Sequence, residues 1–551
     1  MSGSSSAREA LVSATAAAKR TLSPAEIAFA YHARTKHSLE RYAPGPETLD
    51  WDAQPNPFRE FAGAPRTELQ LASADIKARF ADIYAHTAVP AAPFTIGPVG
   101  ALMHLAMGVS AWKEYGPDRW ALRCNPSSGN LHPTEAYLFA RGISGIGDGT
   151  YHYLSRDHVL EQRCARAVDA GAPALCIGLS SVHWREAWKY GERAFRYCQL
   201  DLGHALGAIR YAAGALGWRA SLVEGLEHDA LASLMGLDRP QDFGRAERED
   251  ADLLIAIDTS PSQGGDAMGS CDQLRGGDGQ WVGAANVLDA HPMYRWPIID
   301  EVREATKGRG TGEGREPASY PPLTPLADKR AADIMLGRRS AQRFDARTSM
   351  CLESFHHILD CLLARPIAPW DVWHFAPRLH PFFFVHRVEG LEPGLYALPR
   401  NGAAEQSLRA GLREDFEWKT PAGTPAHLPF FRLLPANTLA IAKTISCHQA
   451  IASDGCFALS MLSEFEPLVQ ENPWRYRQLF WEAGLLGHVL YLEAEALGLR
   501  GTGIGCYFDD ALHSLLGVTD RHFQALYHFT VGHPLTDTRI LTLPAYPGRQ
   551  S

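Results

Sequence analysis

Apolar residues recur at three- and four-residue steps from Phe195 through Cys198, Leu202, Leu206, Ile209 and Ala213 to Leu216. That period predicts one long helix over about 191–216 with a single apolar face. Gly217 stands where a left-handed cap would end it. A second long helix is predicted over about 477–497, stopped by Gly498. Short unbroken apolar runs at 175–177, 253–257 and 381–385 read as buried strands. Long helices with separated strands predict an α+β fold.

The two helices belong to a longer repeat. Residues 201–237 can be laid on residues 482–518 without a gap. Ala215-Leu216-Gly217-Trp218-Arg219 then meets Ala496-Leu497-Gly498-Leu499-Arg500, and Gly203 meets Gly484. A period this long means a duplicated domain rather than a solenoid. The expected organisation is a flexible Ser/Ala-rich N-terminus (1–19), a first domain (20–265), a linker (266–325) and a second domain (326–551). The glycines at 264–265, 276–277 and 308–314 predict loose chain around the linker. The apolar piece 296–300 is suited to dock and continue into a short helix.

The chain of 551 residues is 46% hydrophobic and 21% charged, an ordinary globular balance. Its net charge of −9 gives no basic field for nucleic acid. No run approaches the ~20 apolar residues of a membrane span, and the N-terminus lacks the apolar core of a secretory signal. The ten cysteines form no C-x-x-C pair, so spacing signals neither zinc nor a redox disulfide. A cytoplasmic location is expected. No H-E-x-x-H spacing marks a metal hydrolase. His152, His204 and His488 read as ordinary polar or capping residues.

Chemistry concentrates in four places. The stretch 123–133 sets Ser127, Ser128, Gly129 and Asn130 between Pro126 and Pro133, giving donors, acceptors and a bare backbone for a planar polar ligand. Arg338-Arg339-Ser340 gathers guanidinium groups suited to phosphate. Gly501-Thr502-Gly503-Ile504-Gly505 lets backbone amides approach a ring edge. Lys189 and Tyr190 can serve as acid and base if burial shifts them.

The spacing Pro-Ser-Ser-x-Asn-x-His-Pro resembles the flavin-contacting loop of the FMN-dependent nitroreductase family, which has Gln in place of His. Arg338-Arg339-Ser340 is similar to that family's phosphate-gripping start. The resemblance implies FMN contacts from Pro126, Ser127, Ser128 and Asn130. It also implies them from Arg338, Arg339, Ser340 and, where the family usually has Arg or Lys, Gln342. It places Gly503, Ile504 and Gly505 beside the isoalloxazine, and Arg539 near a second phosphate cation. Trp188 to Tyr197 resembles the SagB/ThcOx branch, which oxidises azoline rings and uses a Lys-Tyr dyad, here Lys189 and Tyr190.

The assets are divided between the repeats. The second domain's counterpart loop, 374–378, lacks the serines, and Arg475-Tyr476 stands for the dyad. The first domain's Arg34-Thr35-Lys36-His37-Ser38 is the start of a mirror site without its partner loop. The expectation is two tandem nitroreductase-like domains forming an intramolecular pseudo-dimer with one composite FMN site, an arrangement that allows a monomer. The implied activity is dehydrogenation of a heterocycle or amino-acid-derived substrate, small or peptide-derived. The alternatives are an NAD(P)H-dependent nitro/quinone reductase and a non-catalytic flavin- or peptide-binding partner of a biosynthetic complex.

Overall fold

Each half of the computed structural model, which describes residues 21–71, 76–85, 89–166, 172–259, 279–312, 314 and 320–549, is built on one antiparallel sheet. In the first half the neighbouring strands are Gly149–Leu154, Thr134–Arg141, Ala174–Ser181, Asp250–Asp258 and Arg219–Leu222. In the second they are Gly394–Ala397, Leu379–Val385, Phe457–Glu464, Phe523–Gly532 and Arg500–Ile504. Both series run antiparallel throughout and follow the same chain order. The fold is α+β, and the halves pair as a pseudo-dimer inside one chain.

The strands read as unbroken apolar runs because both faces are covered. Along Leu379–Val385, Leu379, Phe383 and Val385 enter a core shared by the two halves. Phe382 and Phe384 enter a separate core on the other face. That is the alternation a strand imposes.

Three helices position the site. Helix α1 (His183–Tyr190) leads through a tight turn into α2 (Ala194–Ala215); α3 (Arg475–Ala496) is the equivalent of α2 in the second half. Periodicity predicts one buried face for α2, yet all 22 of its residues are buried. One side covers its own sheet and the other is covered by α3. Gly217 (φ +68°) and Gly498 (φ +77°) follow the two helices in the left-handed conformation expected of them.

The stretch between the halves is more built than a linker. Gln280–Trp281 adds a strand to the first sheet. Helix Pro297–Ala305 docks through Ile299 and Val302, as 296–300 predicts. Part of the glycine run is packed: a Cβ on Gly308 would stand 2.7 Å from Trp474 and one on Gly312 2.9 Å from Phe375, whereas Gly314 has open space beside it. The N-terminal 1–19 segment and the pairs 264–265 and 276–277 lie outside the described residues. The second half's C-terminal tail crosses back, pairing Leu541–Leu543 with Val109–Tyr115 of the first half. Among the described residues no helix is long and apolar enough to cross a membrane.

Candidate active site

A cavity of about 420 Å³ opens between the halves. Its wall includes Pro126, Ser127, Ser128, Gly129, Asn130 and Tyr190 from the first half. From the second come Arg338, Arg339, Ser340, Gln342, Gly503, Ile504 and Gly505. The two groups of sequence-predicted residues therefore meet in one place.

The first wall is held by its own polar side chains. Ser127 Oγ accepts from the N–H of His132 at 2.8 Å, and Asn130 Nδ2 donates to the carbonyl of Ala121 at 2.9 Å. Asp201 on α2 accepts from the Ser128 N–H at 3.1 Å and from its hydroxyl at 3.0 Å. Gly129 has φ +60°, and a Cβ there would fall 2.5 Å from the Tyr190 hydroxyl. Glycine is needed both for backbone conformation and for space.

Arg338 ties the walls together. Buried against the Tyr491 ring, it donates through Nε to the carbonyl of Cys124 and through Nη2 to that of Arg123, each at 3.0 Å. Its Nη1 is buried without a partner, as is Oδ1 of Asn125. Arg339 binds the Ser110 hydroxyl at 3.1 Å and carbonyl at 3.3 Å. The Tyr491 hydroxyl links Ser340 Oγ at 2.8 Å to the N–H of Gly503 at 3.0 Å. Lys113, Arg123 and Arg500 add positive charge to the lining. A cradle with this much cationic character and orphaned polar groups suits an anionic, hydrogen-bonding ligand.

The glycines of the second wall leave no room for side chains. A Cβ on Gly503 would stand 1.8 Å from the Tyr527 hydroxyl, and one on Gly505 2.3 Å from the Tyr197 ring. The carbonyl of Gly505 accepts from the Tyr197 hydroxyl and from Arg193 Nη2, each at 3.1 Å, so the first half clamps this segment.

Two predicted residues stand outside the lining. Arg539 is exposed and bound to Asp537 at 2.6 Å. Lys189, at the end of α1, has its Nζ 5.6 Å from the centre of the Trp51 ring and 5.3 Å from that of Tyr190. Burial lowers its pKa, with Glu186 pulling the other way. Tyr190 itself does line the cavity, and burial holds its phenol protonated well beyond the ordinary range.

Near Tyr190 lie two carboxyls that the sequence did not single out, one of which, Asp201, also lines the cavity. Glu186, one helical turn before Tyr190, is fully buried. Burial, then the nearby Asp201, raises its pKa well above the carboxylate range. Burial raises Asp201 to about 7. Asp201 opened the repeat alignment, where it meets Glu482, but a lone Asp in an apolar helix carried no chemical signature. Lys113, Tyr491 and Arg500 reach the site only through the fold.

The mirror position is occupied by protein groups. Glu482 accepts from the N–H of Arg378 at 3.0 Å and is paired with Arg400, whose guanidinium lies 4.4 Å from the Trp370 ring centre. Arg34 is bound to Glu192 at 2.8 Å and Lys36 to Asp510 at 2.7 Å. The cations of the first domain's would-be phosphate turn are spent on ion pairs.

No family model matches the chain. A Methanocaldococcus jannaschii protein named as a nitroreductase is 25% identical over 138 residues. That match covers 23% of this chain and 66% of the archaeal protein's own length. A crystal structure of an Anabaena variabilis protein, also named as a nitroreductase, matches 92% of this chain and 99% of its own, with TM-score 0.64 and 21% identity. The Escherichia coli microcin synthetase McbBCD complex, with truncated pro-MccB17 bound, matches 36% of this chain and 70% of its own at 17% identity and TM-score 0.27, too partial to bear on function. The architecture of the chain, both halves included, is nitroreductase-like.

Proposed function

We propose that the cavity holds FMN and that the chain is an FMN-dependent oxidoreductase. The observation that carries this reading is Arg338 bridging to the backbone of the Pro126 loop, which makes one site from two halves. The residues present fit the group. Arg338, Arg339, Ser340 and Gln342 would hold the phosphate, with Lys113 and Arg500 adding charge. Pro126, Ser127, Ser128, Asn130 and the Gly503–Gly505 segment would hold the ring. Bound FMN would supply two-electron hydride chemistry.

In this reading Tyr190 is the acid/base group, since its hydroxyl reaches the cavity wall. Lys189 acts through Glu186, with which it interacts electrostatically, rather than on substrate directly. The substrate is a heterocycle or an amino-acid-derived molecule, as in SagB/ThcOx-type dehydrogenation. A second reading, reduction of nitro compounds or quinones by NAD(P)H, is favoured by the position of Lys189 outside the lining, because that reaction needs no substrate base.

The test is the visible spectrum of purified protein with the mass and amount of released cofactor. One FMN per chain is expected, because the mirror position lacks the serine loop and its cations Arg34 and Lys36 are held in ion pairs. Two tightly bound FMN, or none after incubation with it, would overturn the reading. Bleaching without air by a heterocyclic substrate, or instead by NAD(P)H, distinguishes the two reactions.

A further inference from the structure

Spacing gives no hint that Cys447 and Cys506 belong together, yet their sulfurs stand 2.6 Å apart. Cys506 follows the glycine-rich strand and lines the cavity. Cys447 follows helix Leu439–Ile445 and, like Cys506, is partly exposed. Cys447 and His448 both have left-handed backbones, with φ +51° and +59°. Two successive non-glycine residues in that region cost energy unless their surroundings hold them, and such strain gathers at functional sites. Gln449 does the holding: its Nε2 donates to the carbonyl of Ser446 at 2.9 Å and to that of Cys506 at 3.0 Å, pinning the two loops together.

The first half completes the group. His37 Nδ1 accepts from the N–H of Ala43 at 2.8 Å, which leaves its other ring nitrogen for Cys506. Arg193 lies nearby, bonded to the carbonyl of Gly505. Cys447 first, then His37, stabilise the Cys506 thiolate, pushing it down to about 5, while the Cys447 thiol is raised. One thiolate and one thiol sharing a proton beside a cation is the arrangement of a reactive pair rather than an inert one. An S–S bond of about 2.05 Å is within side-chain reach of this separation.

We infer that Cys447 and Cys506 form a redox-active dithiol/disulfide pair that exchanges two electrons with flavin bound in the adjoining cavity. The inference rests on the FMN reading above. In the oxidising direction the Cys447 S–H bond breaks, the Cys506 thiolate gives up its charge, and the Cys447–Cys506 bond forms. Two electrons and the single shared proton pass to oxidised FMN, so that charge and protons balance without exchange with solvent. The reverse step returns them, cleaving the S–S bond and restoring oxidised FMN. The pair would thus connect the buried flavin with thiol or disulfide compounds at the surface.

The test uses the full chain loaded with FMN, freed of small thiols and kept from air. It starts once from the dithiol with oxidised FMN. It starts again from the diamide-oxidised protein with FMN reduced by dithionite. In at least one direction the change in the flavin's visible band should match, one for one, the gain or loss of a Cys447–Cys506 cross-linked peptide pair seen by mass spectrometry. Cys447→Ser and Cys506→Ser should abolish the coupled change, and Cys351→Ser, an exposed control, should keep it. Cys447→Ala and Cys506→Ala repeat the test should a serine variant fail to fold. Protein that binds FMN but shows no coupled change in either direction overturns this inference alone. Protein that binds no FMN overturns the site reading and this inference with it.

Discussion

Gly203 and Gly484 meet where α2 crosses α3: a Cβ on Gly203 would stand 2.8 Å from the Cα of Gly484 and 2.1 Å from the carbonyl oxygen of Trp481. They are equivalent positions of the two halves, so the local two-fold relation passes between them. The reciprocal contact is as close, with a Cβ on Gly484 falling 2.1 Å from the carbonyl oxygen of Leu200. The obstacles are backbone atoms that cannot rotate aside. Gly203→Ala should therefore cost about 1–3 kcal/mol by overpacking, read as a lower urea midpoint. FMN retention should fall with it, because α2 carries Asp201 and α3 carries Tyr491. Gly402→Ala, with nothing within 4 Å of the new Cβ, should leave the midpoint nearly unchanged.

Arg338 makes a different kind of link, through charge-assisted bonds to two successive carbonyls. A lysine has no planar fork and cannot span both. Hydrogen bonds to charged groups are worth about 1.5–3 kcal/mol each. Arg338→Lys should weaken FMN binding by about 10–100-fold in equilibrium dialysis. Arg539→Ala, at an exposed position outside the lining, should change it little. Equal losses in both variants would mean that the Arg338 bridge does not organise the site.

Much of this could be seen in the chain before its structure. The helical period around Leu202 and Leu206, the cap at Gly217 and the apolar strand at Phe382–Phe384 are local signals, set by backbone geometry. The Pro126 and Arg338 turns carried enough side-chain chemistry to be singled out, and the repeat explained why each half looked incomplete. What escaped is non-local. Cys447 and Cys506 are brought together by loops far apart in sequence, with Gln449 as the clasp. Glu186 carries no local signal, because nothing in its neighbours announces that α1 is covered. Arg539 and Lys189 show the converse: a position matched along the chain fixes neither the direction nor the reach of a long side chain.

Asp201 makes folding stability depend on pH in a definite sense. Its pKa is about 7 in the folded protein against an ordinary 3.8. Below that window both folded and unfolded chains hold the proton, and above it both have lost it. Within it the folded protein binds a proton that the unfolded chain has released, so stability falls as pH rises from 3.8 to about 7. The loss is of order a few kcal/mol. Asp201→Asn should flatten this slope in urea titrations at several pH values. Glu186, raised in the same direction, leaves a residual slope that the further change Glu186→Gln should reduce.

Tyr190 and Lys189 should separate kinetically. The Tyr190 hydroxyl lies at the cavity wall, close against Gly129, whereas Lys189 stands behind it near Glu186. Tyr190→Phe should keep FMN bound and lower substrate oxidation by about 100-fold or more, the usual reach of a general acid/base. Lys189→Met should lower it less and shift its pH profile, because the loss of positive charge raises Glu186 further. Reduction of the flavin by NAD(P)H should be unaffected in either variant. A larger loss from Lys189→Met than from Tyr190→Phe would restore Lys189 to direct contact with substrate.

Arg400 and Glu482 decide whether the second half could ever hold a flavin of its own. Both are buried, and Glu482 occupies the place of Asp201 with a guanidinium beside it where the first half has Ser128. Removing one member of such a pair costs about 3–5 kcal/mol, because the other charge is left uncompensated. Arg400→Met should show that loss, and show it most at alkaline pH. Burial already raises the Glu482 pKa, and without Arg400 the folded state escapes the charge only by protonation. Adding Glu482→Gln removes the charge but keeps an acceptor for the N–H of Arg378, and should recover most of the stability. The double variant should still bind a single FMN, since emptying the position supplies neither the serines of the Pro126 loop nor a free phosphate cation among Arg34 and Lys36. A second equivalent of FMN in that variant would mean that the buried pair alone, and not the missing loop, had kept the mirror site closed.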